Sequence, residues 1–112
     1  MTTPEGLVKI KVKKALDALG VYYFMPVPMG LSATTLDYLC CYHGMFFGIE
    51  TKVPKKKLTP RQHVVASAIV KAGGFVLVIR DADDVWHMDR LLKNRMEVSA
   101  IYDTLEGRQW PL

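Results

Sequence analysis

Asp37, Glu50 and Lys52 are the residues whose types and spacing could do chemistry. In Glu50-Thr51-Lys52 a carboxylate and an amine stand two positions apart, and in a strand such residues share one face. Leu36 to Tyr42 and Met45 to Lys52 read as strands joined by His43-Gly44, a two-residue link ending in glycine. Centred on that turn, Tyr42 faces Met45, Cys41 faces Phe46, and Asp37 faces Glu50. Directly opposed residues have Cβ atoms about 4.5–5.5 Å apart, and like charges there destabilise a sheet. Two such carboxylates need compensation near neutral pH. A divalent cation supplies it: carboxylates, waters and a phosphate are hard oxygen ligands of the kind Mg²⁺ or Mn²⁺ takes. The alternative is a solvated Asp–Glu–Lys cluster at a sheet end. Against it, Leu36, Tyr38, Phe47 and Ile49 beside the carboxylates are apolar, and Lys55, Lys56 and Lys57 follow at once.

The elements that must position these groups are legible in outline. Thr2-Thr3-Pro4-Glu5 places a capping hydroxyl, a first-turn proline and a glutamate three after Thr2. Val8, Val12, Ala15, Leu16 and Leu19 recur at helical spacing, Lys9, Lys11, Lys13 and Lys14 take other positions, and Gly20 ends the helix. Val21 to Val27 is β-branched and aromatic and predicts a strand, followed by a loop over Pro28 to Thr35. After the basic loop from Pro54 to Leu58, Thr59-Pro60-Arg61-Gln62 has the capping-box pattern and opens a second helix with Val64, Val65, Ala68 and Ile69 as its apolar stripe. Gly73-Gly74 ends it, and Phe75 to Ile79 is a short, wholly apolar run suited to a buried strand. Asp81 to Asp84 begins a third helix with Val85, Met88, Leu91 and Leu92 on its buried side, a stripe that Met96 continues. Met96 to Gly107 reads as further helix. The order α-β-β-β-α-β then α, with a hairpin and a helical crossover, predicts an α/β fold: a mixed sheet of at least four strands with helices on both faces.

The 112 residues suit one domain with a single modest core. Half of them are apolar and 23% are charged, which excludes a disordered chain. No apolar run reaches the ~18 residues of a membrane span, and the lysine-rich start lacks a secretory signal's apolar stretch. Adjacent Cys40 and Cys41 do not make a disulfide framework, which points to a reducing, cytoplasmic setting. The net charge is +4, unevenly placed: residues 1–71 carry ten Lys/Arg against four Asp/Glu, residues 72–112 five against seven. This is either ordinary solvated surface or a polyanion site in the first two thirds.

Asp37 with Glu50-Thr51-Lys52 resembles the PD-(D/E)XK nuclease motif, and the α-β-β-β-α-β order is similar to that superfamily's restriction-endonuclease-like core. Thr34-Thr35-Leu36-Asp37, Ile49-Glu50-Thr51-Lys52 and Leu58-Thr59-Pro60-Arg61-Gln62 together look like the virus-type replication-repair nuclease (VRR-NUC) branch, over roughly Glu5 to Ile79. One departure is Leu36, where the motif usually has proline before the aspartate. The resemblance implies an αβββαβ core with a four-stranded mixed sheet, and a metal-dependent DNA endonuclease using Mg²⁺ or Mn²⁺. Asp37, Glu50 and the Thr51 carbonyl would hold the metal, with Glu5 as a further ligand. Lys52 would position or activate the attacking water, and Gln62 would orient the water or the scissile group. Small members resemble Holliday-junction resolvases, implying a homodimer on branched DNA, and the family's viral distribution implies a phage origin.

Lys9, Lys13, Lys55, Lys56, Lys57 and Arg61 would hold the nucleic-acid backbone with little sequence reading. A non-catalytic nucleic-acid-binding module of the same fold needs that basic face but not the carboxylates. Glu5 and Gln62 each read equally as helix-capping residues, and for Gln62 the capping and site roles compete for one side-chain amide. Cys40 and Cys41 alternate across a strand, and Tyr22, Tyr23 and Phe24 are either packing residues or base-stacking ones.

Overall fold

The structure is a computed structural model and describes residues 3–27, 35–95, 99–107 and 110. Eight elements follow in order: α1 (Pro4–Leu19), β1 (Tyr22–Phe24), β2 (Tyr38–Tyr42), β3 (Met45–Thr51), α2 (Pro60–Lys71), β4 (Phe75–Ile79), α3 (Ala82–Lys93) and β5 (Ile101–Tyr102). The strands lie in one sheet in their sequence order. The pairs β1–β2 and β2–β3 are antiparallel, while β3–β4 and β4–β5 are parallel. The mixed α/β sheet is therefore as expected, with a fifth strand added.

That strand corrects the helix expected over Met96 to Gly107. Asn94 caps α3, and Arg95 takes φ 49°, which stops helical continuation. Ile101 and Tyr102 instead pair with Val76 and Leu77 of β4. The Asp103 side chain then accepts from the Leu105 N–H at 2.9 Å and turns the chain. Met96 and most of the loop after Val27 lie outside the described residues. The expected strand from Val21 to Val27 is shorter in fact. Its last pair is Phe24 with Leu39, and Pro26 brings no N–H to an edge ladder.

The β2–β3 hairpin has the predicted register. Tyr42 pairs with Met45 and Tyr38 with Ile49, and the turn puts His43 at φ 49° and Gly44 at φ 82°. Both positive angles belong to the two-residue turn whose twist matches the strands it joins. Side chains alternate between two cores. Val8, Val12 and Leu16 of α1 and Met88, Leu91 and Leu92 of α3 cover Tyr38, Cys40, Phe47, Ile49, Phe75, Leu77 and Ile79. On the other face α2 packs Ala66, Val65 and Ile69 over Leu36, Val76 and Val78. Every residue of β4 is buried, as a strand covered on both faces requires. Cys40 is buried and Cys41 exposed, one on each side of the sheet, and both are free thiols. Tyr23 packs edge-on against Tyr38, while Tyr22 and Phe24 are exposed. Among the described residues no helix is long and apolar enough to cross a membrane.

The turn from α2 into β4 is tight enough to demand glycine. A Cβ on Gly74 would sit 2.7 Å from the Phe46 carbonyl oxygen and 2.9 Å from Ile69 Cγ2. Gly74→Ala is therefore expected to destabilise the fold by about 1–3 kcal/mol through overpacking. Urea unfolding monitored by circular dichroism checks this; an unchanged midpoint would contradict the close approach.

Candidate active site

The ends of β2 and β3 bring Asp37 and Glu50 side by side. The Asp37 N–H donates to Glu50 Oε1 at 3.0 Å, one position beyond the last ladder pair, Tyr38 with Ile49. Asp37 Oδ2 accepts from the Thr51 N–H at 2.9 Å and from its hydroxyl at 2.6 Å. Thr51 thus orients the aspartate through its own backbone and side chain, a role the sequence did not suggest. Lys9 Nζ of α1 stands 3.8 Å from Asp37 Oδ1, and the Tyr38 hydroxyl donates to the Lys9 carbonyl at 3.3 Å. The first turns of α1 are thereby held against the strand ends.

Gln62 answers the question its position raised. Its Oε1 accepts from the Thr59 N–H at 2.9 Å, completing the capping box, while its Nε2 donates to Glu50 Oε2 at 2.8 Å. The cap uses the amide's oxygen and leaves its nitrogen free to bond Glu50. For α1 the expected cap shifts by one residue. Thr3, not Thr2, is the N-cap, and its hydroxyl accepts from the Gly6 N–H at 3.0 Å. Glu5 is therefore not at the capping-box position. It lies near enough to raise the Glu50 pKa, as the smallest of the causes acting there.

Glu50 is only 4% exposed. Burial pushes its carboxyl up to about 7, and the negative charge of Asp37 adds to the shift. The Asp37 N–H bond and the Lys52 ammonium pull the other way without cancelling it. An under-compensated acid of this kind, in a polar cluster, suits a functional site. The donor set also fits a hard divalent cation, since it offers carboxylate oxygens and a local excess of negative charge. Among the described residues, no group of three His, Cys, Asp or Glu side chains is close enough to hold a metal on its own.

Lys52 follows Thr51 at the end of β3, and its N–H donates to the Ile79 carbonyl at 3.0 Å. Lys55, Lys56 and Lys57 are exposed in the loop before α2, Arg61 is exposed in the first turn of α2, and Lys13 is exposed on α1. The structure thus gathers Asp37, Glu50, Thr51, Gln62 and Lys9 by direct contact, with Lys52 and Glu5 at electrostatic range of Glu50. Sequence reasoning missed Arg80. It follows β4, is 4% exposed, and bonds Asp103 and the Lys56 carbonyl. A charged residue closing an otherwise apolar buried strand was the only signal.

The Glu50 shift has a definite sign for stability. Between about pH 4.5 and 7 the folded protein keeps a proton on Glu50 that the unfolded chain has released. Stability from this group is full below that window and falls as pH rises through it. The melting-temperature difference between the metal-free protein and Glu50→Gln, which cannot titrate there, should move against the native protein over this range. A difference independent of pH would contradict the burial of this carboxylate.

No protein-family model and no curated protein matches the chain. A solved structure described as "VRR_NUC domain" does match: it is 26% identical with a TM-score of 0.68, over 85% of this chain and 100% of that one. Over that share of its length the chain resembles a VRR-NUC domain, and it is a nuclease-type domain by fold.

Proposed function

We propose that this chain is a Mg²⁺- or Mn²⁺-dependent DNA endonuclease, acting as a homodimer on branched DNA such as a four-way junction. The observation that carries the reading is the Glu50 carboxylate, buried beside Asp37 and oriented by Gln62. Asp37, Glu50 and the Thr51 carbonyl would hold the cation, while Glu5 does not stand close enough to complete a three-carboxylate group with them. When bound, the cation stabilises charge on the phosphate and lowers the pKa of a water.

The remaining work belongs to the chain's own groups. Gln62 Nε2 fixes the rotamer of Glu50, so the carboxylate meets its ligand without reorganising. Thr51 does the same for Asp37 through two bonds on one oxygen. Lys52 supplies a fixed positive charge beside the phosphate and a donor to the attacking water. Water oxygen bonds to phosphorus and releases a proton to solvent, one phosphorus–oxygen ester bond breaks, and the departing oxygen takes a proton from solvent. Lys9, Lys13, Lys55, Lys56, Lys57 and Arg61 hold neighbouring phosphates, which gives salt-dependent binding with little base reading. A dimer places two such sites about a two-fold axis, which matches the symmetry of a four-way junction.

The test is one cleavage assay. End-labelled duplex, single strand, flap and four-way junction are incubated with Mg²⁺, Mn²⁺ or chelator, and the oligomer is measured by sedimentation. Cation-dependent, paired cuts confined to the junction by a dimeric protein are expected. Cutting of flaps or linear DNA instead would remove the junction preference. Lys52→Ala should slow cleavage by about 10²–10³-fold, the loss seen when one electrostatic group is removed from a reacting site, with binding retained. Salt-sensitive binding without cleavage under either metal would favour a non-catalytic module.

A further inference from the structure

Arg80 extends from the end of β4 into the base of the lysine loop. Its Nη1 lies 2.6 Å from Asp103 Oδ1, both side chains being buried. Its Nε and Nη2 donate to one acceptor, the Lys56 carbonyl, at 3.0 and 2.7 Å. The backbone of the same residue is fixed too, since the Arg80 N–H donates to Asp84 Oδ2 at 2.9 Å. One residue earlier, the Ile79 carbonyl accepts from Lys52. The start and the middle of the segment from Lys52 to Lys57 are therefore both tied to the end of β4.

The loop needs such a tie. Lys55, Lys56 and Lys57 are exposed and adjacent, so their charges repel one another. Lys55 takes φ 70°, a left-handed conformation that a side chain disfavours. The only internal backbone bond of the turn runs from the Lys56 N–H to the Val53 carbonyl at 3.2 Å. Two charge-assisted bonds on the Lys56 carbonyl hold this shape from beneath. They require a planar fork, which a lysine ammonium cannot reproduce while also reaching Asp103.

We infer that Arg80 is a positioning residue for the basic loop: through the Lys56 carbonyl it sets where Lys55, Lys56 and Lys57 stand, while Asp103 offsets the buried charge of the guanidinium. This rests on the proposal that the loop contacts nucleic-acid phosphates, and it deepens that proposal by naming what orders the contact. Arg80 itself, buried, touches no substrate.

The experiment measures binding, not cleavage. Affinity for a labelled duplex is followed by fluorescence anisotropy in chelator across a salt series. The proteins are native, Arg80→Lys, Asp103→Asn, the Lys55→Ala/Lys56→Ala/Lys57→Ala triple variant, and that triple variant with Arg80→Lys. Removing three phosphate contacts should flatten the slope of log affinity against log salt by about 2.7. Arg80→Lys should flatten it by about 1–2 and have no further effect on the triple variant. Asp103→Asn should lower the melting temperature but leave the slope within about half a unit, because Arg80 still reaches Lys56. A native slope in Arg80→Lys, or equal flattening by Asp103→Asn, overturns the inference. An unchanged slope in the triple variant also overturns it, and with it the loop's place in DNA binding, while metal-dependent cleavage would still stand. Should Arg80→Lys not fold, ¹⁵N heteronuclear NOEs decide. Native Lys55–Lys57 amides as rigid as those of α2 support the anchor, and values at the level of a free chain end overturn it.

Discussion

Glu50 stands next to last in β3, and its carboxylate is buried beside that of Asp37. Water, the usual partner of an ionised carboxylate, is excluded there, and burying such a group without partners is strongly unfavourable. The surrounding structure is arranged as partial compensation. The Asp37 N–H, just before β2, bonds Glu50, Gln62 reaches it from α2, and Lys52, just past the end of β3, acts on it through its charge. These partners satisfy the oxygens as hydrogen-bond acceptors. They do not neutralise the charge, which is why the carboxyl stays shifted up to about 7. The cluster is thus deficient in positive charge, a deficit that the proposed cation would remove.

Gln62 links this deficit to the placement of a whole helix. One amide ties the first turn of α2 to its own N-cap and to the end of β3. The start of α2 cannot slide without breaking one bond or the other. Thr51 makes a comparable link on the opposite side, since it continues β3 while fixing Asp37. Lys9 and the Tyr38 hydroxyl bring α1 to the same place. Three elements therefore converge on two carboxylates through short, local bonds, and no long loop is needed to assemble the cluster.

Much of this was legible in the residues because the governing interactions are local. His43-Gly44 determines its hairpin register by turn geometry, and the opposition of Asp37 and Glu50 follows by counting. Thr59-Pro60-Arg61-Gln62 declares a helix start through its own capping chemistry. What counting could not reach was which of two threonines caps α1, because Thr2 and Thr3 offer the same hydroxyl one position apart. Nor could it reach β5. Two residues make a strand only because β4 offers them an edge, and that edge exists only after the fold forms. The Arg80–Asp103 pair spans 23 residues and leaves no periodic trace in the sequence. For Gln62, reading the amide as one group hid the fact that its two ends face different partners.

Two kinds of buried charge now stand at the same end of the sheet, and their difference separates structure from chemistry. Arg80 and Asp103 are buried together with opposite signs, and the guanidinium has carboxylate and carbonyl acceptors around it. Such a pair contributes little net stability, although losing one partner costs about 3–5 kcal/mol, so its value lies in fixing geometry. Glu50 is buried against the half-buried Asp37 of the same sign, and the two gain only partial relief from Lys52 and Lys9. A fold selected for stability alone would place an apolar or neutral residue at position 50, as β4 does throughout. Like charges kept together away from water are a persistent cost, which a cation bound as proposed would turn into affinity. The opposite-sign pair belongs to the framework, and the like-sign pair is the one on which the proposed reaction would rest.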